Sequence, residues 1–190
     1  MFAYVKSGSI VSYPQENRGI EIDGIKHSAD IYTKWTESER NAIGIYTIEM
    51  NTTNFKSSEY YLNTEITYAY DSSSNKVTGS YGTAIAREIA DKTVDGVLEE
   101  GLKTILIRQV KQEAEKILNE TDWYVTRKSE KSTAIPSAIT THRDAVRTKQ
   151  AEMETAITNA ADTPALETLY TYTVTDGVQS RPLGDLPRLT

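Results

Sequence analysis

Hydrophobic and polar positions alternate with a period of two through the first half of the chain and of three to four through the second. Residues 2–5 alternate, Ser7-Gly8 is a turn signal, and residues 9–13 return, which predicts a short hairpin. Ile20-Glu21-Ile22 followed by Asp23-Gly24 is a second strand and turn. Thr36-Glu37-Ser38-Glu39 is a capping-box pattern that predicts one or two helical turns ending near Gly44, after which residues 45–50 alternate again. The clearest hairpin joins residues 65–70 and 76–81 through Asp71-Ser72-Ser73-Ser74-Asn75. Its arms are β-branched and aromatic, and its connector is made of turn formers.

Leu102, Leu106, Val110, Ala114 and Ile117 then recur at helical spacing, with Glu, Lys, Gln and Arg between them. This pattern stops at Thr121-Asp122-Trp123. Residues 124–135 read as a polar connector, and Pro136 suits the first turn of a second long helix. Ile139, His142, Val146, Lys149, Met153, Ala156 and Ala160 form a narrow stripe of coiled-coil type along it. Thr163-Pro164 opens a last short helix through Leu166 and Leu169. From Thr175 onward, Gly177, Pro182, Gly184 and Pro187 predict a tail that is irregular or draped over a neighbour. The expected fold is α+β, with a small β-rich N-terminal domain of short antiparallel hairpins (1–93) and a helical-hairpin C-terminal domain (94–190). The division falls within 91–96, and no internal repeat shows.

Composition narrows the function classes. A chain of 190 residues is long enough for a buried core. Its net charge of −6 lacks the cationic footprint that nucleic acids and anionic membranes select, so neither is an expected partner. No apolar run approaches the ~20 residues that span a bilayer, and no basic-then-apolar leader is visible. The product is expected to be soluble and to start life in a cytosol. The absence of cysteine excludes disulfides, thiol catalysis and thiolate zinc sites. Twelve tyrosines against two phenylalanines suit half-exposed sheets and protein interfaces.

Catalytic patterns are missing. His27 and His142 fall in different expected domains, and His142 reads as a packing residue on the helical stripe. No Gly-x-Ser-x-Gly elbow exists. Gly79-Ser80-Tyr81-Gly82 carries no lysine for a phosphate cradle. The turn 71–75 has alternate oxygens, but neither the glycine nor the bidentate glutamate of a calcium loop. Glu99-Glu100 and the Glu113, Glu115 pair read as solvated helix faces. No enzyme, cofactor or metal is expected. The tyrosines Tyr60, Tyr61, Tyr68 and Tyr70 offer an alternative, a carbohydrate- or receptor-binding module that uses them as stacking platforms.

The corner at Trp123 remains. The indole is expected to fold over the bend and cover the core, with Thr121 or Asp122 capping the next segment and Arg127, Arg143 or Arg147 stacking on the ring. A rigid aromatic flanked by arginines is also interface-anchor chemistry, so Trp123, Tyr124, Arg127, Arg143 and Arg147 are the candidate partner-binding residues.

Lys116-Ile117-Leu118-Asn119-Glu120-Thr121-Asp122-Trp123, a spacer, and His142-Arg143-Asp144-Ala145-Val146-Arg147 resemble the signature of the tailed-phage tail assembly chaperone family. Members carry a basic and two apolar residues before Thr-Asp-Trp, and a Tyr-Arg-x-x-Leu-Arg helix after a short spacer. This chain has His142 and Val146 where the family prefers tyrosine and leucine, and its spacer lacks the usual acidic, Pro-rich character. The match covers about a fifth of the chain. Ser9-Ile10-Val11-Ser12-Tyr13-Pro14 and the segment from Trp35 to Tyr46 are similar to the opening domain of small tail-region proteins of marine and cyanobacterial phages. The resemblance implies a non-enzymatic structural protein of the virion tail, fibre- or baseplate-associated, that binds other tail proteins and itself. A transient assembly chaperone absent from the virion is the alternative it leaves open.

Overall fold

A computed structural model describes residues 1–189. The protein is α+β, and the chain divides into two compact units, one ending at Ile85 and the other starting at Ala86. The division lies upstream of the expected 93/94 boundary. Hydrogen bonds tie the intervening residues to the helices beyond them: the N–H groups of Leu102 and Lys103 donate to the carbonyls of Glu88 and Ile89, and Thr163 Oγ1 donates to Arg87 O at 2.8 Å.

The first unit contains β1 (Phe2–Lys6), β2 (Ser9–Ser12), β3 (Ile20–Ile22), β4 (Ile25–His27), α1 (Asp30–Thr33), α2 (Glu37–Ala42), β5 (Ile45–Asn51), β6 (Tyr61–Leu62), β7 (Ile66–Asp71) and β8 (Lys76–Tyr81). Its main sheet has the order β2-β1-β5-β8-β7. All expected hairpins form, but β5 and β8 run parallel, so the sheet is mixed rather than purely antiparallel. Side chains on β1 and β5 alternate between two buried faces. Phe2 and Ile45 pack with Ile22, Ile31 and Tyr32. Ala3, Val5, Tyr46 and Ile48 pack with Val77, and Tyr68 and Tyr70 border them. Successive side chains of a strand point to opposite faces, so burial on both faces goes with the near-continuous apolar run Phe2-Ala3-Tyr4-Val5 rather than with strict alternation.

The capping box at Thr36 forms as its pattern predicts: the Glu39 N–H donates to Thr36 Oγ1, and the Thr36 N–H donates to the Glu39 carboxylate. Gly44 then takes φ +80°, and a Cβ there would meet Val5 O at 2.5 Å. A left-handed turn against the backbone of β1 admits only glycine at this position. Tyrosines on the sheet stack in pairs: Tyr46 with Tyr70 at 5.1 Å and Tyr13 with Tyr68 at 5.0 Å.

The second unit lies beyond β9 (Ile85–Ala86) at the junction. It holds β10 (Lys92–Val94), β11 (Val97–Glu99), α3 (Leu102–Asn119), α4 (Asp122–Lys131), α5 (Ser137–Asn159), α6 (Thr163–Tyr170), β12 (Thr173–Thr175) and β13 (Val178–Ser180). All five stripe residues of α3 are buried. Gly101 offers no side chain to cap this helix, so the Asp91 carboxylate accepts from its N–H at 2.7 Å. That bond, with a second from Thr104, holds the Asp91 carboxyl below its ordinary pKa.

Helix α5 packs antiparallel on α3: Arg143 near its start reaches Leu118, and Thr158 near its end accepts from Lys103. Its buried stripe is Ile139, Arg143, Val146, Met153 and Ile157; Ile139, Val146, Met153 and Ala160 are buried as expected, while Arg143 and Ile157 take the inward places expected of His142 and Ala156. His142, Lys149 and Ala156 lie half-buried on its flank. Ser137 is the first helical residue, and Pro136 sits one position earlier, as the N-cap. The expected irregular tail begins later than Thr175, since residues 181–189 carry no helix or strand but the segment before them is a hairpin. Strands β12 and β13 pair through an Asp176-Gly177 turn with φ of 52° and 77°, and Leu183 and Leu186 beyond them are buried. The β10–β11 hairpin turns identically at Asp95-Gly96, so Glu99 lies on a strand rather than a helix. Glu100 binds Arg108 at 2.6 Å.

These contacts make two expectations measurable. Leu106, 1% exposed at the α3–α5 seam, should cost about 2–5 kcal/mol when changed to alanine, measured by denaturant unfolding. In the 71–75 turn, the Asp71 carboxylate accepts from Ser73 Oγ, Ser74 Oγ and the Ser73 N–H. These bonds lower its pKa from 3.8 to about 2. A depressed carboxylate stabilises the fold above its unfolded pKa and loses that contribution as pH falls through the folded value. Asp71→Ala should therefore melt below the parent protein at neutral pH, and the gap should narrow from about pH 4 to about pH 2. An Asp71 NMR titration midpoint near 3.8 would contradict it.

Candidate functional site: the corner at Thr121 to Trp123

The last carbonyls of α3 have no helical partners and must find donors elsewhere. Glu120 still has helical φ, but Thr121 adopts φ −116° and ψ 6° and ends the helix. One side chain from the facing helix closes this break. Arg143 Nη1 donates to Leu118 O and to Thr121 Oγ1, both at 2.7 Å. Its Nη2 meets Asp122 Oδ1 at 2.8 Å. Thr121 Oγ1 in turn donates to Leu118 O at 3.0 Å. The planar guanidinium thus joins the end of α3, the bend and the start of α4 in one fork. Arg143 is 8% exposed and Thr121 is 2% exposed.

Beyond the bend the chain is helical where a polar connector is expected. Helix α4 spans ten residues and buries none of them. Trp123 stands in its first turn, 51% exposed, so the indole leaves the bend toward solvent and does not cover the core. Thr121 makes no side-chain cap to α4 because its hydroxyl points back at α3. Asp122 sits in the first turn, where a carboxylate complements the helix dipole. At 100° per residue, Trp123, Tyr124, Arg127, Lys128 and Lys131 fall on one half of the helix, and Asp122, Val125, Thr126, Ser129 and Glu130 on the other. On the first half the Trp123 and Tyr124 rings lie 3.8 Å apart, tilted by 33°. The Arg127 guanidinium sits over both, at 4.6 and 5.2 Å from their centroids. Arg127 Nε is buried and has no hydrogen-bond partner.

Of the candidate residues, Trp123, Tyr124 and Arg127 form one cluster on α4. Arg143 lies inside the corner that orients this cluster and does not stack on the indole. Arg147 is exposed on α5 and pairs with Asp144 at 3.2 Å. The other candidate chemistry disperses. His27 packs edge-on to Trp35 at 5.7 Å. Tyr60 and Tyr61 are 5% and 4% exposed, which removes them as open stacking platforms. Tyr70 donates to Asn75 Oδ1 at 2.7 Å. Tyr46 donates to the same oxygen, and burial pushes its pKa up to about 12. A depression in the second unit sets Glu113, Glu120 and Asp185 among Lys116, Arg181 and Arg188. Among the described residues no cluster of three His, Asp or Glu side chains is arranged to hold a metal ion.

No family model, curated protein or solved structure matches this chain.

Lys128 and Lys131 escape a reading of residues 124–135 as connector. Their spacing from Tyr124 and Arg127 is the signal that places them on the same face. Arg143→Ala should cost about 1–3 kcal/mol, because it removes the charged donor from Leu118 O and Thr121 Oγ1, while Leu118 O keeps its bonds from the Thr121 N–H and hydroxyl and the exposed Asp122 rehydrates. Trp123→Ala, at an exposed position, should shift stability by less than about 1 kcal/mol. Denaturant unfolding of the two variants side by side checks both, and a larger loss for Trp123 would place the indole in the core.

Proposed function

We propose that this chain is a non-enzymatic structural protein of a tailed bacteriophage, a tail fibre- or baseplate-associated subunit that binds other tail proteins and itself. One observation carries the reading. The two separated parts of the tail-chaperone-like signature, Thr121-Asp122-Trp123 and His142-Arg143, meet in space, with Arg143 bonded to Thr121 and Asp122. A signature whose halves form one latch has a physical reason to be kept as a pair. The latch serves no reaction; it fixes the direction in which Trp123, Tyr124 and Arg127 face solvent.

In this reading the β-rich N-terminal part docks on the tail, and the helical part, with its long α3–α5 pair, holds a partner protein. In this reading the protein needs no cofactor, metal, nucleic acid or membrane. Among the described residues no helix is long and apolar enough to cross a bilayer. It is made in the host cytoplasm and ends in the virion tail. The burial of Tyr60 and Tyr61 weighs against glycan stacking as the main role.

Mass spectrometry of purified particles should find the chain at a fixed ratio to fibre and baseplate proteins. Its absence from intact particles, with presence during assembly, would replace the structural role with that of a transient chaperone. Trp123→Ala should fold normally and fail to incorporate. Wild-type incorporation of that variant would remove Trp123 from the binding surface.

A further inference from the structure

We propose that α4 is a docking helix for an acidic protein segment bearing apolar side chains. The inference rests on the proposed role, protein binding through this corner, and adds the chemistry of the partner.

The first reason is charge. The chain carries 27 acidic against 21 basic side chains, so a cation has carboxylates to find. Elsewhere many cations find them, including Lys6, Lys76, Arg108, Lys111 and Arg181. Arg127, Lys128 and Lys131 share one helix face, and no ion pair to any of them forms among the described residues. Their face is a local cationic patch on an acidic protein.

The second reason is apolar surface. Trp123 joins Tyr124 and Arg127 in a stacked platform at the start of the same face. Stacked aromatics beside an arginine are typical interface anchors. An exposed ion pair contributes little in water. One formed beside an apolar anchor that excludes solvent contributes more. A partner with carboxylates alone, or apolar groups alone, would therefore use only half of the face.

The third reason is that α4 lacks support of its own. A helix of ten residues is marginal in water, and this one buries no side chain. Among the described residues the ion pair that anchors it lies in its first turn, Asp122 on Arg143. A segment laid along Trp123, Arg127 and Lys131 would cover the unsupported turns. Nucleic acid and anionic lipid fit the patch less well. Glu130 adjoins it, and the whole chain repels polyanions that lack an apolar anchor.

The test uses the full chain carrying Trp35→Phe, which leaves Trp123 as the only indole. The probe is a soluble glutamate-rich peptide with two leucines. Binding should shift and saturate Trp123 fluorescence and weaken as salt rises. Affinity should fall about tenfold in Lys128→Glu/Lys131→Glu, and by a similar factor in Arg127→Ala. Circular dichroism confirms that each variant stays folded.

The proposal is overturned by any of four results: unchanged affinity in the charge-reversed variant, equal binding of a peptide with lysine for glutamate, equal binding of polyglutamate lacking leucine, or tighter binding of anionic vesicles or single-stranded DNA. Shielding of Trp123 by self-association without peptide would also overturn it, by giving the face to a second copy. Virion composition does not enter this readout. Absence of the chain from particles with peptide binding intact removes only the structural role. Lost binding with the chain present in particles removes only the assignment of α4.

Discussion

One guanidinium holds the second unit's bend together. Arg143 lies in the inward stripe of α5, where an apolar residue would ordinarily sit, and its fork reaches across to the open end of α3. A helix end buried without donors is costly, and the same side chain that supplies a donor also fixes Asp122 at the start of α4. Lysine has a single ammonium and cannot span these acceptors in one plane. The direction of α4, and so the surface it presents, depends on this contact.

Helix α4 is built from local interactions rather than from packing. A carboxylate at its start and Lys128 and Lys131 in its last turn complement the dipole. Arg127 stacks back on Trp123 and Tyr124. Ser132 closes the end in a left-handed conformation with φ 55°. Each of these contributes a fraction to about one kcal/mol. Such an element opens at low free-energy cost and is well suited to being completed by a partner.

Most strands and the cores of the long helices are legible in the sequence because their signals are local and strong. The capping box at Thr36, the turn at 71–75 and the α3 stripe each state their own geometry. The parallel pairing of β5 with β8 is not legible, since register between strands distant in sequence is a tertiary property. The Gly and Pro content of the tail predicts irregular structure. Yet Thr175-Asp176-Gly177-Val178 is a two-residue hairpin signal of the same type as Val94-Asp95-Gly96-Val97. The expected α5 stripe holds at Ile139, Val146, Met153 and Ala160 but misses its other edge, because hydropathy puts Arg143 in solvent, whereas the structure buries it. Residues 124–131 of the expected connector are helical, with Arg127 stacked on Trp123 and Tyr124 once the three share a face.

The sequence alone determined an acidic, cysteine-free α+β chain with a Thr-Asp-Trp bend, an amphipathic α3 and arginines at Arg143 and Arg147. These come from composition and short-range periodicity, which need no knowledge of what packs where. Only the tertiary structure decided that the two arginines have different fates, Arg143 buried against Leu118 and Thr121, Arg147 in solvent. It likewise turned Trp123 outward. The reason is geometric: which residue of a helix faces its neighbour depends on the partner's unpaired groups, and those belong to a different part of the chain.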